Sequence, residues 1–422
     1  MGFATKLKDV TKRAFGRAPA GLPDHTAAAS AGGSAGTERK RKALYLIAEP
    51  GYPNFGDELI AREWLRYLAS RCPDREVIVD CARPGPAAMI LRGVHPHVEF
   101  TDTMRRLGTE NPFPYDGPID DIARFVAEAL DDEGRAAQYA AGIRVLQRDV
   151  RSIHMLGGGY MRGDWTCNLS RLAIGPWARR HGIPVVGTGV GLMPISGDSL
   201  TFARNAVADF DRFTVRDEST LAALNDGGDS AAAPIAKLAP DDCFVNGLED
   251  CYMPAEGLPD TMLCIQSDFI GDTEALHAHV IAVLDRWNVG VHDPIGVAEC
   301  NPVIDRPIYD YLLAHGYDNV RFYPVAEILE RGFPARTGQR WLSTRYHPHL
   351  LAAAIGCSGS YIAVDPQYYS VKHHAVLRMG SHWTAAPLGQ PAPEPGTGFA
   401  DPTRRFTYRD QIRTTVDALY NG

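Results

Sequence analysis

No run in this 422-residue chain approaches the about 18 consecutive apolar residues of a membrane span, and the opening residues lack the hydrophobic segment of a secretory signal. A cytoplasmic protein is therefore expected, one that can touch the inner face of the plasma membrane only peripherally. The eight cysteines, at 72, 81, 167, 243, 251, 264, 300 and 357, include no Cys-x-x-Cys pair, which excludes a clustered thiolate zinc site. They read as reduced core thiols, although spacing alone would allow a Cys243–Cys251 bridge. The doublets His95/His97, His277/His279 and His373-His374 fit no His-Glu-x-x-His pattern, so no metal and no cofactor are expected. Gly187-Thr188-Gly189-Val190-Gly191 lacks Gly-x-Gly-x-x-Gly spacing and does not follow the first strand, which argues against a dinucleotide site. Positive charge is also scarce outside residues 1–42: that segment carries +6 and the remainder −14 of the net −8, so the body is no nucleic-acid binder.

What remains is an ordinary globular composition, 45% apolar and 22% charged, with length for two domains. In residues 2–17, Phe3, Leu7, Val10 and Ala14 recur at helical spacing among five Lys/Arg, which suits an anionic membrane surface; a solvated tail fits as well. Lysine at position 6 argues against myristoylation. Residues 18–40 are rich in Ala, Gly, Ser and Pro and read as a flexible linker. From Lys42 onward, strand-like runs at 43–48, 76–80, 152–156, 184–188 and 212–215 alternate with helical patterns. A second series has strands at 262–266, 289–292, 320–323, 340–344 and 361–364. The pattern predicts an α/β protein with two Rossmann-like domains facing a cleft, residues 43–230 and 231–382, divided near Asp226-Gly227-Gly228-Asp229-Ser230. A Pro/Gly-rich linker and a last helix at about 407–419, crossing back onto the first domain, complete residues 383–422.

Several strand ends carry chemistry. Arg345-Tyr346-His347 joins a hydrophobic strand to an Ala-rich helix; strand alternation points Arg345 and His347 the same way, and the helix amides add positive potential. Arginine grips a phosphate or carboxylate and histidine moves a proton near neutrality, so the pair reads as an anion-handling acid/base site. Taken alone, an Arg-x-His is more often a surface ion pair. Asn54-Phe55-Gly56-Asp57-Glu58 follows the first strand, with Asp57 placed to cap the next helix. Gly157-Gly158-Gly159 leaves amides free to line a small anionic or sugar-bearing site, unless it is merely a turn. Arg216 ends another strand beside Asp217, which either pairs with it or caps the following helix, and Lys372 is a candidate second phosphate contact.

In order, Asn54–Glu58, the glycine run 157–159, Gly189-Val190-Gly191-Leu192-Met193-Pro194, Val215–Ser219, Pro240-Asp241-Asp242, Arg345-Tyr346-His347 and the 369–372 segment resemble the polysaccharide pyruvyl transferase family over roughly residues 43–381. The resemblance implies a GT-B-like fold and transfer of a pyruvyl group from phosphoenolpyruvate, as co-substrate, to two hydroxyls of a sugar, giving a cyclic ketal and phosphate. It also places the donor near Arg216, Arg345 and His347, with Lys372, Gly158 and Gly159 as further contacts. His347 is expected to act as general acid/base and the arginines to stabilise departing phosphate. Asn54, Asp57 and Glu58 are expected at the acceptor, a sugar or lipid-linked glycan of the cell envelope or an exopolysaccharide. Pro53, Tyr346 and Gln367-Tyr368 depart from the family's pattern. A GT-B glycosyltransferase using a nucleotide sugar, or a non-catalytic glycan-binding protein, are the alternatives.

Deleting residues 2–20 is expected to weaken binding to anionic vesicles in a sedimentation assay. Unchanged binding would remove the case for a membrane-facing N-terminus.

Overall fold

The structure, a computed structural model, describes residues 42–226 and 234–420. The basic stretch 2–17, the linker 18–40 and most of the break at 226–230 lie outside the described residues.

Seven parallel strands form the first sheet: β1 (Ala43–Ile47), β2 (Val77–Asp80), β3 (Val98–Thr101), β4 (Val150–Met155), β5 (Val185–Val190), β6 (Arg212–Val215) and β7 (Lys237–Leu238), in the order β3-β2-β1-β4-β5-β6-β7. The second sheet has six: β8 (Thr261–Cys264), β9 (Ile295–Ala298), β10 (Val320–Tyr323), β11 (Arg340–Ser343), β12 (Ser358–Tyr361) and β13 (Thr384–Ala385), in the order β10-β9-β8-β11-β12-β13. Helices cover the faces, which is why β1 and β5 are buried at every residue and read as continuous apolar runs. Each order reverses once, between β1 and β4 and between β8 and β11. Such switch points open a crevice at the carboxyl ends of the strands. This is an α/β architecture of two parallel sheets. Among the described residues, no helix is long and apolar enough to cross a membrane.

Several expectations shift. The second sheet takes Ile295–Ala298 in place of Val289–His292, because Asn288 at φ 55 and an Asp293 carboxylate accepting from the Gly290 amide (2.7 Å) fold 288–293 into a turn. The next-to-last strand is Ser358–Tyr361, not 361–364; its polar Ser-Gly-Ser lacks a strand signature, and Gly359 lets it approach Trp341 and Trp383 closely. The two-residue edge strand β7 carries no periodicity, and it extends the first sheet past residue 230, where the division was expected.

The helix Phe55–Arg71 is the wedge between the sheets. Phe55 stacks on Phe333 (5.4 Å), which stacks on Trp341 (5.0 Å), and the Phe55 amide donates to the carbonyl of Cys300 (2.8 Å). Its apolar side chains are continuous with a core drawn from both halves. The last helix, Arg404–Tyr420, returns from the second sheet to the first half: Arg413 donates to the carbonyl of Val245 (2.8 Å) and Tyr420 Oη meets His154 Nδ1 (2.6 Å). All eight cysteines are free.

Two histidine networks brace the interior. Thr188 donates to Asp242 (2.6 Å), so His154 Nε2–H donates to Thr188 (2.8 Å) and its Nδ1 accepts from Tyr420. In the second half, His373 Nε2–H donates to the carbonyl of Thr344 (3.3 Å), His349 Nδ1–H to His373 Nδ1 (2.9 Å), and Ser381 Oγ–H to His349 Nε2 (2.8 Å). This chain fixes the helix Tyr346–Ala354 against the helix Pro366–Arg378. Burial drives His154 and His373 down to about 3 and His349 well below its ordinary value.

Because the unfolded chain takes up protons on these three histidines below about pH 6.5 and the folded protein does not, stability should fall as pH drops through that value. The limiting slope is about 1.4 kcal/mol per pH unit per histidine. Urea midpoints between about pH 7 and 4 measure it, and His154→Gln should flatten the fall; an unaltered slope would contradict the assignment.

Candidate active site

A single cavity of about 410 Å³ takes its lining from the carboxyl ends of strands in both sheets. Asn54 and Asp57 follow β1, Gly159 follows β4, Arg216 follows β6, Arg345 and His347 follow β11, and Lys372 follows β12. The crevice therefore gathers seven of the nine site residues expected from the sequence. The other two lie elsewhere. Glu58 is fully buried and turned away, its carboxylate accepting from the Gly51 amide (2.6 Å) so that it shapes the loop before the helix. Burial pushes that carboxyl to about 8 despite the amide. Gly158, at φ 149, stands behind Gly159 and packs on Tyr160.

The helix cap also differs from expectation. Asn54 Oδ1 accepts from the Gly56 amide (3.2 Å) and caps the helix, leaving Asp57 in the first turn facing the cavity. Asp57 is pushed up to about 7, first by desolvation and then by Glu49, against the pull of Arg216 and Lys372. Glu49 lies two residues past β1 and is itself held by buried Arg171 (2.9 Å).

Arg345 occupies the cap position of the helix Tyr346–Ala354, so His347 lies in the helix's first turn and not on the strand. Both nevertheless reach the cavity. Arg345 Nε lies 2.8 Å from each oxygen of buried Asp305, whose carboxylate also accepts from the amides of Cys300 and Asn301. Cys264, Cys300 and Asp305 cluster as metal-type ligands, but there the guanidinium already occupies the carboxylate. Arg216 Nη1 donates to Asp241 (2.9 Å) and its guanidinium stacks on Tyr346 (4.4 Å), which gives this departure from the family's pattern a role. Asp217 caps the next helix through Thr220 (2.7 Å), settling its two readings.

Asp241, for which no role was expected, joins Arg216 and His347. One carboxylate oxygen faces Arg216 and the other lies 3.6 Å from His347 Nε2. Burial alone would raise Asp241, but His347 and Arg216 hold it far below the ordinary carboxylate range. Burial lowers His347, Asp241 opposes, and Arg216 and Lys372 add to the lowering. Lys372 is driven well below the ordinary lysine value by burial and by Arg216. Two glycines make room for these groups. A Cβ on Gly56 would lie 1.9 Å from His347 Nδ1, and one on Gly159 would lie 3.0 Å from Arg216 Nη2. At the mouth, Tyr52, Tyr115 and Phe269 expose aromatic faces.

The arrangement can hold an anion against Arg216, Arg345 and Lys372 and exchange protons through His347 and Asp57. A family profile described as Polysaccharide pyruvyl transferase matches residues 54–366. No curated protein matches. Among solved structures, a putative UDP-N-acetylglucosamine 2-epimerase from Listeria monocytogenes is similar at 11% identity and TM-score 0.48, covering 89% of this chain and 88% of that one. The UDP-GlcNAc 2-epimerase of Neisseria meningitidis is similar at 9% identity and TM-score 0.46, covering 90% and 92%. MurG of Acinetobacter baumannii is similar at 11% identity and TM-score 0.42, covering 90% and 93%.

Since Glu49 raises Asp57, Glu49→Gln should lower the apparent pKa of Asp57 from about 7. Carbon-13 titration of labelled aspartates reads this directly. An unmoved Asp57 would show that Glu49 does not set its proton affinity.

Proposed function

The chain belongs to the polysaccharide pyruvyl transferase family, and from that premise we propose that it transfers the pyruvyl group of phosphoenolpyruvate to two hydroxyls of a glycan, forming a ketal and releasing phosphate. The observation that carries this reading is the convergence of Arg216, Arg345, Lys372 and His347 on one cavity that also holds Asp57. Phosphoenolpyruvate presents a phosphate and a carboxylate about one small molecule's width apart, which suits several cations from separate strand ends.

Arg345, set rigidly by Asp305, and Arg216, set by Asp241, hold the donor's two anionic groups. His347, oriented toward Asp241, protonates the methylene carbon and makes C2 electrophilic. The first acceptor hydroxyl then adds to C2, and the second displaces phosphate. The first hydroxyl's proton restores His347, and Asp57, with an affinity for protons near neutrality, takes that of the second. Asn54 lines the same side, while Glu58 has no part in the acceptor site because it does not reach the cavity. The exposed Tyr52, Tyr115 and Phe269 offer stacking faces for sugar rings at the entrance. The acceptor is proposed as a lipid-linked or cell-envelope glycan, in keeping with the basic N-terminal segment.

His347→Ala should lower phosphate release in the presence of acceptor by about 10²- to 10⁴-fold. Gly56→Ala should do the same while keeping His347 in place in the sequence, because the added methyl occupies the space of the imidazole. Arg345→Ala should abolish calorimetric binding of phosphoenolpyruvate. Binding of a nucleotide sugar in its place would overturn the donor assignment in favour of glycosyl transfer.

A further inference from the structure

Arg216, Arg345 and Lys372 line the cavity and Arg162 stacks on the Tyr368 ring beside it; each of these arginines has a carboxylate of its own. Arg216 has Asp241 at 2.9 Å, Arg345 has Asp305 at 2.5 Å and Arg162 has Asp164 at 2.6 Å. Lys372 has no such partner among the described residues. Its Nζ lies 3.7 Å from the centroid of the Tyr368 ring, whose plane also carries Arg162 at 4.3 Å. Tyr368 Oη donates to the carbonyl of Gly159 (3.3 Å), so the ring is anchored and holds the ammonium stem inside. Gly159 itself leaves space over the lysine: a Cβ there would stand 3.3 Å from Nζ.

Arginine keeps its proton at any pH a protein meets, whereas a buried lysine releases one readily. The repulsion of the cluster therefore falls on Lys372. On the reading that phosphoenolpyruvate is the donor, we infer that Lys372 takes up a proton as the donor's phosphate enters and later gives that proton to the departing phosphate, acting as a general acid. As the bond from C2 to the bridging oxygen breaks, its electron pair stays on oxygen. The Lys372 ammonium protonates that oxygen, hydrogen phosphate leaves, and the amine is restored. The first hydroxyl's proton replaces the one His347 gave to the methylene carbon. The second hydroxyl's proton passes through Asp57 to water, so one proton enters with the donor and one leaves with the products.

The charged surroundings agree with this cycle. Burial, Arg216, Arg345 and Arg162 all lower the proton affinity of Lys372, and Asp57 alone raises it. His347, Tyr368 and Tyr369 line the same cavity, as do the carboxylates Glu49, Asp116 and Asp268. A phosphate dianion placed among these groups reverses the balance.

Calorimetric titration of the full-length protein with phosphoenolpyruvate, at about pH 8.5 in two buffers of small and large ionisation enthalpy, counts the protons bound. Wild type should take up close to one proton on Lys372 in addition to any that His347 takes up. Lys372→Arg, which keeps a cation at this position throughout, should bind within about threefold of wild type with one proton fewer taken up, yet release phosphate about 10²-fold more slowly, since arginine gives up no proton. Lys372→Met should lose that proton and affinity together. Equal uptake in Lys372→Arg and wild type, or none in wild type, would overturn the inference. Inorganic phosphate in the same titration separates the two readings: phosphate binding with uptake but no binding of phosphoenolpyruvate overturns the donor and leaves the lysine standing. Failure of both anions overturns both.

Discussion

One buried carboxylate ties the working parts together. Asp241 follows β7 at the far edge of the first sheet, yet its two oxygens face Arg216 of that half and His347 of the other. The pairing is strong because neither side is wet: Arg216 is 3% exposed and Asp241 fully buried. Removing the carboxylate would leave a guanidinium and an imidazole unshielded against each other in a desolvated space, which is costlier than losing a contact. The orientation of His347 and the setting of Arg216 both follow from this one group, which also opposes the lowering of His347 by burial.

A second constraint is steric. The wedge helix Phe55–Arg71 must approach the helix Tyr346–Ala354 closely enough for Gly56 to meet His347. Its apolar residues are shared by both halves, so the core and the site are positioned by the same element. Asn54 at the cap and Asp57 in the first turn then fall at the cavity by helical geometry, while Glu58, about 100° further round, turns inward. Adjacent residues that look equivalent in a sequence are thereby given opposite tasks.

That rotation explains much of what was and was not legible. Strand ends with a cation followed by a helix signal were readable because the information is local: Arg216, Arg345 and His347 each lie within two residues of such a junction. The alternating strand and helix patterns likewise gave the two-sheet architecture. What escaped depends on contacts between distant segments. Asp241 stood out in the sequence only as part of Pro240-Asp241-Asp242, and its role is set by partners 25 and more than 100 residues away. The choice between Glu58 as ligand and Glu58 as brace turns on a loop amide seven residues earlier. Strands β7 and β13 are two residues long, too short for any period, and β12 is held by sheet pairing and not by its own apolar character.

The returning helix bears on the timing of synthesis. His154 receives its buried partner from Tyr420, 266 residues later in the chain. At about 5–20 residues per second of translation, that separation is roughly ten seconds to a minute. Throughout that interval the face beside His154 and Trp64 lacks the helix that brings Tyr420 against them. The first half is thus emitted early but finished late, and it is in this window that a holding chaperone would find its apolar surface.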